Sequence, residues 1–196
     1  MGLFDSLKNK TVKDLRDAAR SVANSATQNI GNHTETVTLT ALPQTLPEMQ
    51  AMPQADLQNP YGTVALAIAA LCRYGESVDD CLQMLDFLRG PRPLSPMDKQ
   101  FLRDRLVGKE YVPVSYFDGT SPQNNYTPSV PYRISVKKNP YSAQGEDFLT
   151  LYVHSSGADN DRIVEVRRKP STGQWFLWEI KCLSDIRIPV SADPWA

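Results

Sequence analysis

The stretch NPYGTVALAIAALCRYG, residues 59–75, decides how this chain folds. Asn59 followed by Pro60 is a helix start: a capping side chain, then a residue whose missing N–H costs nothing in the first turn. Gly75 supplies the matching stop. Between them Val64, Leu66, Ile68 and Leu71 stand among alanines, so the helix is apolar nearly all round. Such a helix has no face to offer water and must lie at the centre of a core.

Two further helices follow, bounded in the same way. Ser77 opens one, with Asp80 three residues on, and Gly90-Pro91 ends it. Val78, Cys81, Leu82, Met84, Leu85 and Leu88 share one of its faces, which predicts an amphipathic, half-buried helix. Ser95-Pro96 opens the other, Asp98 favours its positive end, and Gly108 closes it. There Met97 and Phe101 flank one side of a wide apolar face, and Leu102 and Leu106 flank the other. Asp98 and Arg105 then project from its middle and are expected to form a structural polar anchor, because a buried guanidinium needs a partner; the alternative is that this face borders solvent and Arg105 snorkels out.

After residue 110 the apolar period changes from helical to two. Strands are expected at 111–117, 132–138, 148–155, 162–169 and 174–181, with a further one at 183–188. Pro170 to Gly173 makes the turn between two of them. Upstream, residues 35–42 alternate as a strand, and the proline-rich 43–60 reads as a linker laid over the surface. Helices first and a run of strands afterwards define an α+β fold: N-terminal helices followed by a curved antiparallel β-sheet around the 61–74 helix. Residues 33–196 are expected to form this single domain. Residues 1–32 are expected to be an amphipathic helical appendage, with Leu3, Leu7, Leu15, Val22 and Ala26 at roughly helical spacing between lysines and arginines.

Composition narrows the function classes. The 196 residues carry 21 Lys plus Arg against 22 Asp plus Glu, a net charge of −1. Neither half has the basic excess that a phosphate backbone requires, so no nucleic-acid partner is expected. The cysteines, Cys72, Cys81 and Cys182, are odd in number and form no C-x-x-C pair, which fits a reducing compartment. With no secretion signal and no apolar run near the ~20 residues of a membrane span, a cytoplasmic location is expected.

Function has two places to sit. The loop 116–132 combines tyrosines, asparagines and prolines, a composition suited to recognition, and offers Tyr116, Asn124, Asn125 and Tyr126. The loop 155–162 offers Asp159 and Arg162, with His154 at the end of the strand before it. If the strands leading into these loops run in the same sense, the loops meet at one rim. The bland alternative is that they only brace one another, with Arg162 bonded to loop carbonyls. Asp159-Asn160-Asp161 lacks the Gly and Glu that complete a calcium loop. No nucleophile motif and no metal-ligand spacing surrounds His33 or His154, so no metal and no cofactor is expected. These features favour a non-catalytic module that recognises a protein or small ligand through polar and aromatic loops. The alternatives are a small-molecule enzyme with its pocket inside the curved sheet, and a membrane-surface adaptor acting through residues 1–30.

Several motifs also carry a resemblance. Tyr61-Gly-Thr-Val-Ala-Leu66, the run from Cys81 to Pro91, Ser115-Tyr-Phe-Asp-Gly119, Asn124-Asn-Tyr-Thr-Pro128, Ser156-Gly-Ala-Asp159, Trp175-Phe-Leu-Trp178 and Asp193-Pro-Trp195 together resemble an uncharacterised domain family of gut-type Gram-positive bacteria. The likeness covers about residues 40–196. It implies a bacterial protein and supplies no activity. The order of helices and strands is also similar to the cone-shaped nuclear-transport-factor-like fold, which hosts enzymes and binding domains alike.

Overall fold

The central helix forms where its start and stop signals lie. In the computed structural model, which describes residues 31–195, the Asn59 side chain accepts from the Tyr61 N–H at 2.9 Å and the helix runs from Pro60 to Cys72. Every residue from Tyr61 to Leu71 is buried, so it is the most deeply enclosed element of the fold. The Thr63 hydroxyl donates to the Trp175 carbonyl at 3.0 Å, which ties the helix to the last strand.

In chain order the elements are β1 (His33–Leu39), α1 (Leu46–Gln50), α2 (Pro60–Cys72), α3 (Val78–Arg89), α4 (Pro96–Leu106), α5 (Tyr111–Val114), β2 (Tyr132–Lys138), β3 (Phe148–Val153), β4 (Arg162–Arg168) and β5 (Trp175–Lys181). The strands make one open antiparallel sheet in the order β1-β2-β3-β4-β5. The fold is therefore α+β, with most helices ahead of most strands. Alternation puts Val37, Ile134, Val136, Leu151, Val153 and Val164 on the covered face, all buried. α2 crosses that face and touches β1, β2, β4 and β5. A bulge in β5 opposite Glu165 and Val166 inserts Trp178 as an extra residue.

Four expectations require correction. Residues 111–117 do not form a strand: Tyr111–Val114 is a single helical turn, and Val112, Pro113, Ser115, Tyr116 and Phe117 are all buried. An apolar run buried on every side has no period to display, and Pro113 has no N–H to give a sheet. Residues 43–60 are not a surface linker. Pro43, Met49 and Leu57 are buried, α1 and a 3-10 turn at Pro53–Asp56 lie within the stretch, and the Trp175 N–H donates to the Leu57 carbonyl at 2.7 Å. Residues 183–188 pack Leu183 and Ile186 inward without joining the sheet; Asp185, at φ +57°, breaks the extended path.

The fourth correction concerns α4. Met97 is 81% exposed and Phe101 also faces solvent, so the wide apolar face shrinks to Leu102 and Leu106. Arg105 is exposed and lies over the Phe101 ring, so it is no internal anchor. Asp98 instead closes a capping box with Ser95 and approaches Arg89 of α3 at 3.5 Å. The expected appendage at 1–32 falls almost wholly outside the described residues.

Candidate functional site

The two loops touch at Ser115 and Thr120 against Ser155 and Ser156, although 111–117 is no strand. Most of their other groups are spent on their own turns and on residues 182–191. The Ser156 N–H donates to the Ser115 carbonyl, and the Ser115 and Ser155 hydroxyls bond at 2.7 Å. Tyr116 is buried and donates its hydroxyl to the Cys182 carbonyl. The Asn124 side chain closes its own turn, accepting from the Ser121 N–H and donating to the Gly119 and Thr127 carbonyls. Asn125 accepts from Ser191 at 2.6 Å. Tyr126 was expected on the exposed turn, yet it is 1% exposed, stacks on Tyr111 and donates to the Arg187 carbonyl at 2.6 Å. Arg162 donates to three carbonyls, those of Asn160, Ser184 and Asp185. Asp159 remains at the surface, paired with Arg187.

One part of the rim keeps free chemistry. Asp161 accepts from Lys137 at 2.9 Å and stands 3.1 Å from His154 Nδ1. Burial alone would raise the Asp161 carboxyl; the hydrogen bonds and charges of Lys137 and His154 together outweigh it and hold the carboxyl below its ordinary value. An ionised carboxylate only accepts, so Nδ1 carries the proton and Nε2 of a neutral ring keeps its lone pair. Both His154 and Lys137 line a polar cleft of about 410 Å³ with Asp118, Thr120 and Ser156. An oriented imidazole of this kind can accept a proton or a hydrogen bond.

A second cleft, of about 380 Å³, has a different character and was not foreseen. It lies where the end of α3 meets the β4–β5 hairpin. Its cations are Arg89, Arg92, Arg167, Arg168 and Lys169, and its apolar walls are Pro91, Pro170, Phe176 and Trp178. Gly90 permits the close approach: it sits at φ +55°, and a Cβ there would run into the Phe176 ring. Arg92 lies 4.2 Å over the Trp178 ring and pairs with Glu179 at 3.1 Å. Arg167 stacks on Phe148 and on Trp178, at 4.8 and 5.0 Å.

Arg89 sets this cleft apart. Its side chain is 2% exposed, Nε donates to the Arg92 carbonyl and Nη1 to the Trp178 carbonyl. Nη2 faces Asp98 at 3.5 Å, a carboxylate that lines the neighbouring cleft between α4 and β5 rather than this one. Burial works against the Asp98 carboxylate, but the Ser95 hydrogen bonds and then the charges of Arg89 and Arg92 outweigh it and lower its pKa. A signal for Arg89 existed in the sequence: the helical period that turns Cys81 and Leu85 inward turns residue 89 inward as well. Arg167, Arg168 and Lys169 read only as the charged end of a strand.

Among the described residues no cluster of His, Cys, Asp and Glu could hold a metal ion, and no helix is long and apolar enough to cross a membrane. The class so defined is an α+β domain with an open antiparallel sheet, a filled core, and surface clefts at the loop rim and beside the last hairpin. The chain belongs to the family described as domain of unknown function DUF6935, whose model matches residues 41–190. β1 precedes the matched stretch although it completes the sheet. No curated protein and no solved structure matches the chain, so the bacterial source and the cone-shaped fold rest on resemblance alone.

Proposed function

We propose that this protein is a non-catalytic binding module of the bacterial cytoplasm, and that it holds a small anionic ligand in the cleft between α3 and the β4–β5 hairpin. One observation carries the reading. Arg89, Arg92, Arg167, Arg168 and Lys169 line one cleft, and among the described residues only Arg89 and Arg92 have a carboxylate partner. Three positive charges without a carboxylate partner draw an anion to the cleft, and the arginines can hold it by charge-assisted hydrogen bonds.

Other features agree. The inner face of the sheet is filled by α2, which leaves no room for a substrate pocket inside it. The thiols of Cys72, Cys81 and Cys182 are free, as a reducing compartment would keep them. The loop-rim residues serve mostly to fix the scaffold, so recognition falls to the hairpin side. The membrane-adaptor alternative concerns residues 1–30, which lie outside the described residues.

Isothermal titration with phosphate, sulfate and citrate at low ionic strength tests the reading. Binding is expected, and the double variant Arg167→Gln/Arg168→Gln should weaken it by roughly 10- to 100-fold, the loss of about one charge-assisted hydrogen bond. Both residues are exposed, so the variant should fold. No heat with any anion, or equal affinity in the variant, would refute it.

A further inference from the structure

Within that anion-binding reading, on which this inference rests, we infer that the ligand is a small phosphomonoester whose phosphate is carried on a flat apolar body. Three properties of the cleft lead there.

The first is charge. Of the cations Arg89, Arg92, Arg167, Arg168 and Lys169, only two have a carboxylate partner among the described residues: Arg92 with Glu179, and Arg89 with Asp98. Five cations less two carboxylates leave an excess of three positive charges. A monoanion leaves two of these uncompensated, whereas a phosphomonoester, with its second pKa near about 6, brings close to two negative charges at neutral pH.

The second is donor geometry. Four of the five cations are arginines, whose planar forks match the oxygens of a phosphate better than an ammonium does. Arg89 and Arg92 are fixed charges, Arg89 held by the Arg92 and Trp178 carbonyls and by Asp98, and Arg92 by the Trp178 carbonyl and Glu179. Arg92 and Arg167 are held against the Trp178 ring. These charges and Arg167, stacked on Trp178, are in place before any ligand arrives, while Arg168 and Lys169 are exposed and free to reach it. A phosphate offers three oxygens to such converging groups, and a carboxylate only two.

The third is the remainder of the wall. Pro91, Pro170, Phe176 and Trp178 give the cleft an apolar side that inorganic phosphate would leave in contact with water. Burying a flat hydrocarbon body there adds the hydrophobic contribution of its area. A volume of about 380 Å³ fits a small molecule. The confinement of the cations to one cleft, in a chain of net charge −1, disfavours a nucleic-acid backbone.

The experiment is a titration of the full chain at pH 7.5 with phenyl phosphate, benzenesulfonate and inorganic phosphate. Benzenesulfonate has the same ring and three oxygens but a single charge, and inorganic phosphate has the charge without the ring. Phenyl phosphate is expected to bind at least tenfold more tightly than either. Arg167→Gln/Arg168→Gln, at exposed positions, should abolish the preference over benzenesulfonate, and an unchanged preference would overturn the assignment to this cleft. Equal binding of phenyl phosphate and benzenesulfonate would overturn the phosphomonoester, and equal binding of phenyl phosphate and inorganic phosphate would overturn the flat body; the anion-binding reading would survive either result. Absence of binding by all three would overturn both.

Discussion

Tyr126 is the position where bracing and recognition predict opposite results. Its side chain is 1% exposed, its ring stacks on Tyr111 at 5.6 Å, and its hydroxyl donates to the Arg187 carbonyl at 2.6 Å. Tyr126→Phe removes only that hydrogen bond and leaves a carbonyl poorly satisfied, a loss of about 1 kcal/mol. Tyr126→Ala also removes the ring and opens a cavity, for which a buried Phe→Ala change is the measure, ~3–5 kcal/mol. For a domain of this size each kcal/mol moves Tm by ~2–4 °C, so the Phe variant should lose ~2–4 °C and the Ala variant ~6–20 °C. Circular dichroism melts at 222 nm, with urea unfolding as a second measure, read these values directly. An Ala variant melting within ~1 °C of the parent would show that the ring is not embedded as described, and the bracing account of the rim would fail with it.

Two further outcomes follow from the titrating groups. Asp98 and Asp161 both have lowered pKa values in the folded protein, so each favours folding fully above the unfolded value of about 3.9 and loses that contribution as pH falls through the folded value. Stability should therefore drop below about pH 4, and less steeply in Asp161→Asn; identical acid-unfolding curves for variant and parent would refute this. Burial pushes the Cys81 and Cys182 thiols up to about 12, and that of Cys72 still higher. None should react with iodoacetamide at pH 8 until the protein unfolds, and mass spectrometry across a urea series would detect modification of the folded state that contradicts this.

The comparison of sequence and structure turns on which signals are local. Helix ends are local: a cap such as Asn59, Ser77 or Ser95 acts within four residues, so α2, α3 and α4 could be placed from the chain alone. The alternation of β2 to β5 is likewise local, because one face of the sheet is covered and the other is not. Burial on all sides is not local. Tyr111–Val114 and the stretch around Met49 and Leu57 are enclosed by distant elements, and no period in their own residues reports it.

The candidate site divides along the same line. Residues with recognition chemistry in the loops were visible, yet Tyr116, Asn124, Tyr126 and Arg162 find partners 2 to 66 residues away, and only the tertiary structure shows those groups already engaged. The basic cleft is the reverse case. Arg89 and Arg92 lie 75 or more residues from Arg167, Arg168 and Lys169 in the chain, and each group reads alone as an ordinary charged terminus. The chain by itself determined an α+β domain with a buried central helix, because capping and periodicity act over a few residues. The convergence of five cations on one cleft was decided by the packing of α3 against β5, because charges far apart in sequence share a field only when folding brings them together.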